Sequence, residues 1–308
     1  MKIVFMGTPE FSIAPLRNLI QNGYDISAVV TVPDKPQGRH LKMQPSPVKK
    51  FALENNLNIL QPENLKSDDF IKSIKEISPD IIVVIAFRIL PQEVYSLSKL
   101  GTFNLHASLL PKYRGAAPIN RAIMNGEKTT GVTTFFLDNK VDTGNIILQK
   151  SIEIGDDDNF GTMYNKLSEL GCDVTLETVR LIESGNAVTS PQDNSLASPA
   201  PKIFKEDCQI NWNKTSVELH NFIRALYPEP IAFTHLDGKT FRILKAKDTD
   251  IISNSDAGVI FKDKNRLFVN CADKLLELLE VQIEGRKPAD IKSFLNGFRF
   301  RENEIRFS

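Results

Sequence analysis

Residues 81–85 read Ile-Ile-Val-Val-Ile, apolar on both faces of any strand they form. A strand of this kind must be covered on both sides, which puts it at the centre of a parallel sheet with helices above and below. The surrounding pattern agrees. Short β-branched runs at 3–6, 26–32, 80–86 and 102–105 alternate with helix-period segments at 11–21, 47–55, 70–77 and 118–125. This alternation predicts an α/β fold with a doubly wound, mainly parallel sheet, whose ligands sit beyond the carboxyl ends of the strands. Residues 131–137 and 145–154 predict a further strand pair, and 160–184 a long amphipathic helix.

A chain of 308 residues is long for one core. Periodicity fails over 188–207, where Ser190-Pro191, Ser198-Pro199 and Pro201 read as a linker. The expected organisation is a catalytic domain at 1–187, a linker at 188–207 and a C-terminal domain at 208–308. Beyond the linker come a helix at 217–226 and five short strands at 233–236, 240–246, 258–261, 266–270 and 275–282. That pattern predicts a small antiparallel β-barrel of OB-like type.

Lys plus Arg and Asp plus Glu number 38 each, so no global field attracts nucleic acid, and any such footprint must be a local patch. Cys172, Cys208 and Cys271 are odd in number, widely spaced and without metal-ligand spacing, which fits a reducing compartment. Residues 1–7 read as a strand and turn, not as a signal peptide, and the longest apolar run, Ile81 to Phe87, is far short of a membrane span. A cytoplasmic protein without membrane contact is expected, acting as a monomer.

After the first strand a dinucleotide fold would carry G-x-G-x-x-G, but here the turn is Gly7-Thr8-Pro9-Glu10-Phe11-Ser12. Two glycines are missing and Pro9 removes a backbone donor, so a nicotinamide cofactor is disfavoured. The next carboxyl edge is richer. Asn104 and His106 lie two residues apart on one face of a strand, with Leu105 on the other. An amide and an imidazole so placed can reach one oxygen atom. Asp142, in the turn Val141-Asp142-Thr143-Gly144, could orient and charge that imidazole if the turn lies beside the strand. Taken singly, each motif fits a plain structural role better: a satisfied polar pair, or an aspartate capping its own turn.

Together the elements are specific. N-x-H-A-S-L-L-P-x-Y-R-G-A-A-P-I-x-x-A over residues 104–122, then V-D-T-G at 141–144, resembles the folate-dependent formyltransferase family. The resemblance begins at Ile3–Phe11, includes 33–39 and 45–49, and resumes at Ala200–Ile203, Ile210–Trp212 and Ile223–Pro228. It implies a Rossmann-like formyltransferase domain using 10-formyltetrahydrofolate as donor, with no metal. The implied acceptor is the methionine α-amine of initiator methionyl-tRNA, in translation initiation. Asn104 and His106 would stabilise the oxyanion, and Asp142 would keep His106 charged and help carry the amine proton. Folate contacts would come from Phe87, Ile89 and Leu90 and from Ser108, Leu109, Leu110 and Pro111. Phe87-Arg88 is shorter than the commoner family loop and lacks its glycine, while Lys140 and Asn145 replace a usual glycine and aspartate.

Residues 33–50 hold Lys35, Arg39, Lys42, Lys49 and Lys50 against one acid, Asp34. By composition this is a solvated loop. By resemblance it is the basic insertion that engages the tRNA acceptor stem, with Lys35, Arg39, Lys42 and Lys49 as contacts and phosphates as their targets. Formyltransferases acting on amino sugars or glycinamide nucleotides share the Asn-His-Asp set, as would a formylfolate hydrolase. The basic loop and the C-terminal domain favour tRNA over these. A non-catalytic RNA-binding descendant would be expected to lose one of the three side chains, and all are present.

Overall fold

The computed structural model describes residues 1–37, 42–298 and 306–307. The first sheet is built from strands β1 (Lys2–Gly7), β2 (Asp25–Val30), β5 (Ile59–Leu60), β6 (Ile81–Ile85), β7 (Thr102–His106), β9 (Thr129–Phe136) and β10 (Ile146–Glu153). Outside this sheet lie two short pairs, β3 (Lys35–Gln37) with β4 (Lys42–Gln44), and β8 (Arg114–Gly115) with β11 (Pro199–Ala200). The seven-stranded order is β10-β9-β7-β6-β1-β2-β5. The strands from β5 to β7 are parallel, and β9 and β10 add antiparallel at one edge. From β1 the chain winds outward through β2 to β5, then crosses to β6 and β7. The order therefore reverses at β1/β6, and β7 leaves its carboxyl end next to that switch point.

All of β6 is buried, as its two apolar faces require. One face joins a core of Val4, Met6, Val30, Phe70, Ile74, Ile82 and Val84. Helix α1 (Ile13–Gln21) buries Leu16 and Leu19, and the long helix α2 (Phe160–Glu183) crosses β7 where Gly171 faces Leu105. A Cβ on Gly171 would lie 2.7 Å from Leu105 Cδ2, so glycine sets how closely helix and strand approach. The switch-point turn is held by Ser12 Oγ, which donates to the Ile85 carbonyl at 2.8 Å.

The chain divides into two compact units. One comprises Met1–Pro118, Thr129–Glu153 and Tyr164–Ala200, and the other Ile119–Lys128, Ile154–Met163 and Pro201–Ser308. Residues 190–200, which read as linker, are ordered in the first unit: Ser190 and Ile146 exchange backbone hydrogen bonds, and β11 pairs with β8. Proline and serine removed the periodic signal there without removing the structure.

The second unit is an antiparallel β domain. Strands β12 (Ala232–Leu236), β13 (Lys239–Ile252), β14 (Ile260–Asp263), β15 (Arg266–Asn270) and β16 (Lys274–Ile283) run in the order β12-β13-β16-β15-β14, with β17 (Ala289–Asp290) on β16. Helix α3 (Ser216–Ala225) starts with a capping box between Thr215 and Glu218 and buries Leu219 and Ile223 in the sheet core. Trp212 and Phe241 are core residues, and Trp212 stacks on Phe307 at 5.4 Å. Buried Arg224 donates to the carbonyls of Gly155 and Asp158 and to Asn221 Oδ1, which fixes the 155–158 turn; its burial draws the guanidinium below the ordinary arginine value. Burial also pushes the Cys271 thiol up to about 12, so it is a packed apolar group and not a nucleophile. Among the described residues no helix is long and apolar enough to cross a membrane.

Phe103 is fully buried in β7 and tests this core. Phe103→Ala is expected to cost about 3–5 kcal/mol in urea unfolding of the first unit, and Phe103→Leu much less. A cost below about 1 kcal/mol for the alanine variant would contradict the packing described.

Candidate active site

Strand β7 carries Asn104 and His106 on one face. It is registered between β6 and β9, with Asn104 opposite Val84 and Phe135 and His106 opposite Thr133. His106 is buried, while Asn104 is half-buried and its amide makes no side-chain hydrogen bond to a described residue.

His106 is oriented from both sides. Nε2 lies 2.8 Å from the Tyr113 carbonyl. A carbonyl only accepts, so Nε2 carries a hydrogen and donates it. Nδ1 then faces the Asp142 carboxylate, 3.7 Å from Oδ2. Tyr113 takes a left-handed φ of 62°, which turns its carbonyl back onto the imidazole.

Asp142 reaches this point through a tight turn. Its own φ is 56°, in the left-handed region that Asp tolerates better than most residues. A side chain at Gly144 would collide with the Phe136 carbonyl oxygen, so only glycine lets the turn pack on the end of β9. Asp138 accepts from Lys140 N and Thr143 Oγ1 and stiffens the approach. The Asp142 carboxylate accepts the Gly115 N–H at 2.8 Å. Gly115 has φ +124°, and a Cβ there would lie 2.6 Å from the Ala200 carbonyl oxygen.

The turn that follows β7 is pinned from the adjoining strands. Thr133 Oγ1 donates to the Ser108 carbonyl at 2.6 Å and accepts from Leu110 N and Gln149 Nε2 at 3.1 and 2.8 Å. Gln149 Nε2 also reaches the Leu110 carbonyl at 2.9 Å, and Ser108 Oγ donates to the Lys112 carbonyl. Neither Thr133 nor Gln149 belongs to a motif. Their one signal is a polar side chain inside the strand patterns at 129–136 and 146–153, and many surface residues share it.

The three side chains expected to act together thus divide into a close pair, His106 and Asp142, and Asn104 one pleat away on the His106 strand. Of the expected folate residues, Ser108, Leu110 and Leu90 are buried, which leaves backbone groups and shape as what they can offer a ligand. Phe87, Leu109 and Pro111 are half-buried, and Ile89 is 77% exposed. Arg88 ties this loop down, donating to the Glu63 and Pro62 carbonyls and stacking 5.1 Å over Phe87.

In the basic segment β3 and β4 pair as a small antiparallel ladder instead of a plain loop. Lys35 is exposed. Lys49 grips Asp34 at 2.8 Å, and that hydrogen bond, helped by one from Gln61, holds the Asp34 carboxyl below the usual carboxylate range. Lys42 begins β4. Arg39 lies outside the described residues. Among the described residues no group of three His, Cys, Asp or Glu side chains could hold a metal ion.

The chain is similar to known proteins over most of its length. The formyl transferase family matches residues 1–179, and the formyl transferase C-terminal domain matches 202–299. A methionyl-tRNA formyltransferase from Caldanaerobacter subterraneus is 44% identical over 99% of both chains. One from Porphyromonas gingivalis is 44% identical over 97% of this chain and 96% of its own. Among solved structures, the sugar 3N-formyl transferase WlaRD superposes with a TM-score of 0.66 at 24% identity, over 93% of this chain and 99% of its own. At that identity the match shows the shared fold.

Thr133→Val keeps the shape of the threonine and deletes the hydroxyl, leaving Leu110 N–H short of its partner. The expected loss is about 1–3 kcal/mol in chemical denaturation, with faster amide exchange at Leu110. Wild-type exchange at Leu110 would mean that the hydroxyl does not hold the turn.

Proposed function

Because the chain belongs to the formyl transferase family, we propose that it transfers the formyl group of 10-formyltetrahydrofolate to the methionine α-amine of initiator methionyl-tRNA. The observation that carries the acceptor is likeness over nearly the full length of both chains. Relatives 43–47% identical, spanning at least 95% of each partner, are methionyl-tRNA formyltransferases. Sugar formyltransferases share the fold at 24% identity or less.

The chemistry we assign to the site follows from its hydrogen bonds. The amine lone pair attacks the formyl carbon, a C–N bond forms and the carbonyl oxygen becomes an oxyanion. Asn104, whose amide is not otherwise engaged among the described residues, donates to that oxygen. His106 has Nε2 committed to Tyr113, so Nδ1 is the ring nitrogen that serves the reaction, beside Asp142. The Asp142 carboxylate accepts the proton that the attacking amine loses. The C–N10 bond then breaks, its electron pair goes to the folate nitrogen, and the proton is delivered there. Donors fixed before charge develops need no reorganisation as it does.

We assign folate binding to the loops at 87–90 and 108–111, on the carboxyl edge beside the switch point. The exposed Ile89 and the half-buried Phe87 and Leu109 offer apolar surface to a flat ring. Lys35, Lys42 and Arg39 carry the expected phosphate contacts. Lys49 acts on the same segment through Asp34, anchoring it.

Formylmethionine should appear when the protein, 10-formyltetrahydrofolate and initiator methionyl-tRNA are mixed, and no product should form on an amino sugar nucleotide. Asn104→Ala should lower kcat about 10²–10³-fold with folate affinity nearly unchanged. Turnover within a few-fold of wild type would remove Asn104 from the mechanism. Arg39→Ala should weaken tRNA use alone. The plot of log Kd against log salt should also become shallower, by about 0.9 unit for each phosphate the variant no longer neutralises. An unchanged salt slope would take Arg39 out of the RNA interface.

A further inference from the structure

Besides the Asp142 carboxylate itself, the side chain of Gln192, from the stretch that reads as linker, joins the Asp142 turn to the segment that holds that carboxylate. Its amide nitrogen donates to the Asp142 carbonyl at 3.0 Å and to the Gly144 carbonyl at 2.8 Å. Its amide oxygen accepts from Arg114 Nε at 3.1 Å and Nη2 at 2.7 Å. Arg114 Nη2 also donates to Asn194 Oδ1 at 2.9 Å. Both hydrogens and the oxygen of the amide are therefore used, and all of them at the site.

The partners explain the arrangement. Asp142 is held at φ 56°, a left-handed conformation that a non-glycine residue keeps only where its surroundings impose it. Donors to the carbonyls of Asp142 and Gly144 bracket the strained turn. Arg114 directly precedes Gly115, whose N–H holds the Asp142 carboxylate. Gln192 thus fixes the carboxylate and the group that aims it in one frame. The frame itself is anchored at both ends. Ser190 exchanges hydrogen bonds with Ile146 at 2.8 and 3.0 Å. Ser198 and Ala200 accept from Arg114 N and Ala117 N at 2.9 and 3.1 Å, and Ser198 Oγ accepts from Tyr113 N. Tyr113 in turn supplies the carbonyl that orients His106.

We propose that Gln192 is a positioning residue for formyl transfer, holding the Asp142 carboxylate at Nδ1 of His106 through the backbone of the Asp142–Gly144 turn. The proposal rests on the catalytic role given above to Asp142. It needs both functions of the amide, a double donor toward the turn and an acceptor toward Arg114, so isosteres that keep one function should fail differently. Methionine fills the space with neither. Glutamate keeps the acceptor for Arg114 but turns an oxygen onto two carbonyl oxygens and drives the turn away.

The test measures formylation of initiator methionyl-tRNA by the full chain, with rates taken per folate-binding site so that an unfolded fraction does not count against turnover. Gln192→Met is expected to lower kcat about tenfold to a hundredfold, the effect of a displacement near 1 Å, with KM for 10-formyltetrahydrofolate within about twofold of wild type. Gln192→Glu should lose more. Asp142→Asn should be severely impaired, and adding Gln192→Met to it should cost almost nothing further, because the two act through one carboxylate. If Gln192→Met and Gln192→Glu both keep kcat within twofold while Asp142→Asn is impaired, Gln192 has no positioning role. Losses that multiply in the double variant would overturn the proposal in the same way. If Asp142→Asn itself turns over at the wild-type rate, the catalytic reading of Asp142 fails first, and the role of Gln192 falls with it.

Discussion

The hydrogen bond between His106 Nε2 and the Tyr113 carbonyl decides how the polar groups of this site can work together. With one ring nitrogen bound to an acceptor that cannot donate, the imidazole has a single face left for chemistry. That face is Nδ1, and the acid beside it is Asp142. The bond exists because β7 ends at His106 and the chain turns back within seven residues, through a left-handed Tyr113, to bring its carbonyl to the ring. Thr133 and Gln149 support this return from the neighbouring antiparallel strands. The mixed edge of the sheet therefore has a use: β9 and β10 are a floor for the turn as well as extra strands.

Close backbone approach recurs around the site. Gly115 against Ala200 and Gly144 against Phe136 are places where a Cβ would strike main-chain oxygen. At each, glycine allows one loop to lie directly on another, so the acidic turn, the 113–117 segment and the 190–200 stretch form a layered rim at the carboxyl edge. Backbone groups inside such a rim have little access to water and need internal partners, which is why so many of its hydrogen bonds run from side chain to main chain.

A mechanism built on a carboxylate, an imidazole and an amide suits the reaction assigned to it. Formyl transfer to an amine moves a proton from one nitrogen to another past a transient oxyanion. The groups required are a donor placed for the oxyanion and a relay for the proton. The departures from the commoner family loops leave these groups untouched. Arg88 ties its loop down with two hydrogen bonds to neighbouring carbonyls, and Lys140 lies where Asp138 and Thr143 already brace the turn.

Much of this architecture is written locally. The doubly apolar run at 81–85, the strand-helix alternation before it and the two-residue spacing of Asn104 and His106 each determine a structural fact through the period of a strand or helix, so the parallel sheet and the polar face of β7 were legible in the chain. Other features depend on residues distant in sequence. The chain alone does not say that Lys49 is occupied by Asp34, that Ile59–Leu60 adds a sheet edge, or that residues read as linker form a strand and a brace. Nor does it say which nitrogen of His106 faces Asp142, because that depends on the carbonyl of Tyr113 and on a turn far along the chain. Sequence determined the elements and the chemical groups through short-range periodicity. Tertiary structure alone decided which polar atoms meet, since a hydrogen bond is satisfied by proximity in space and proline-rich, aperiodic segments carry no signal of where their partners lie.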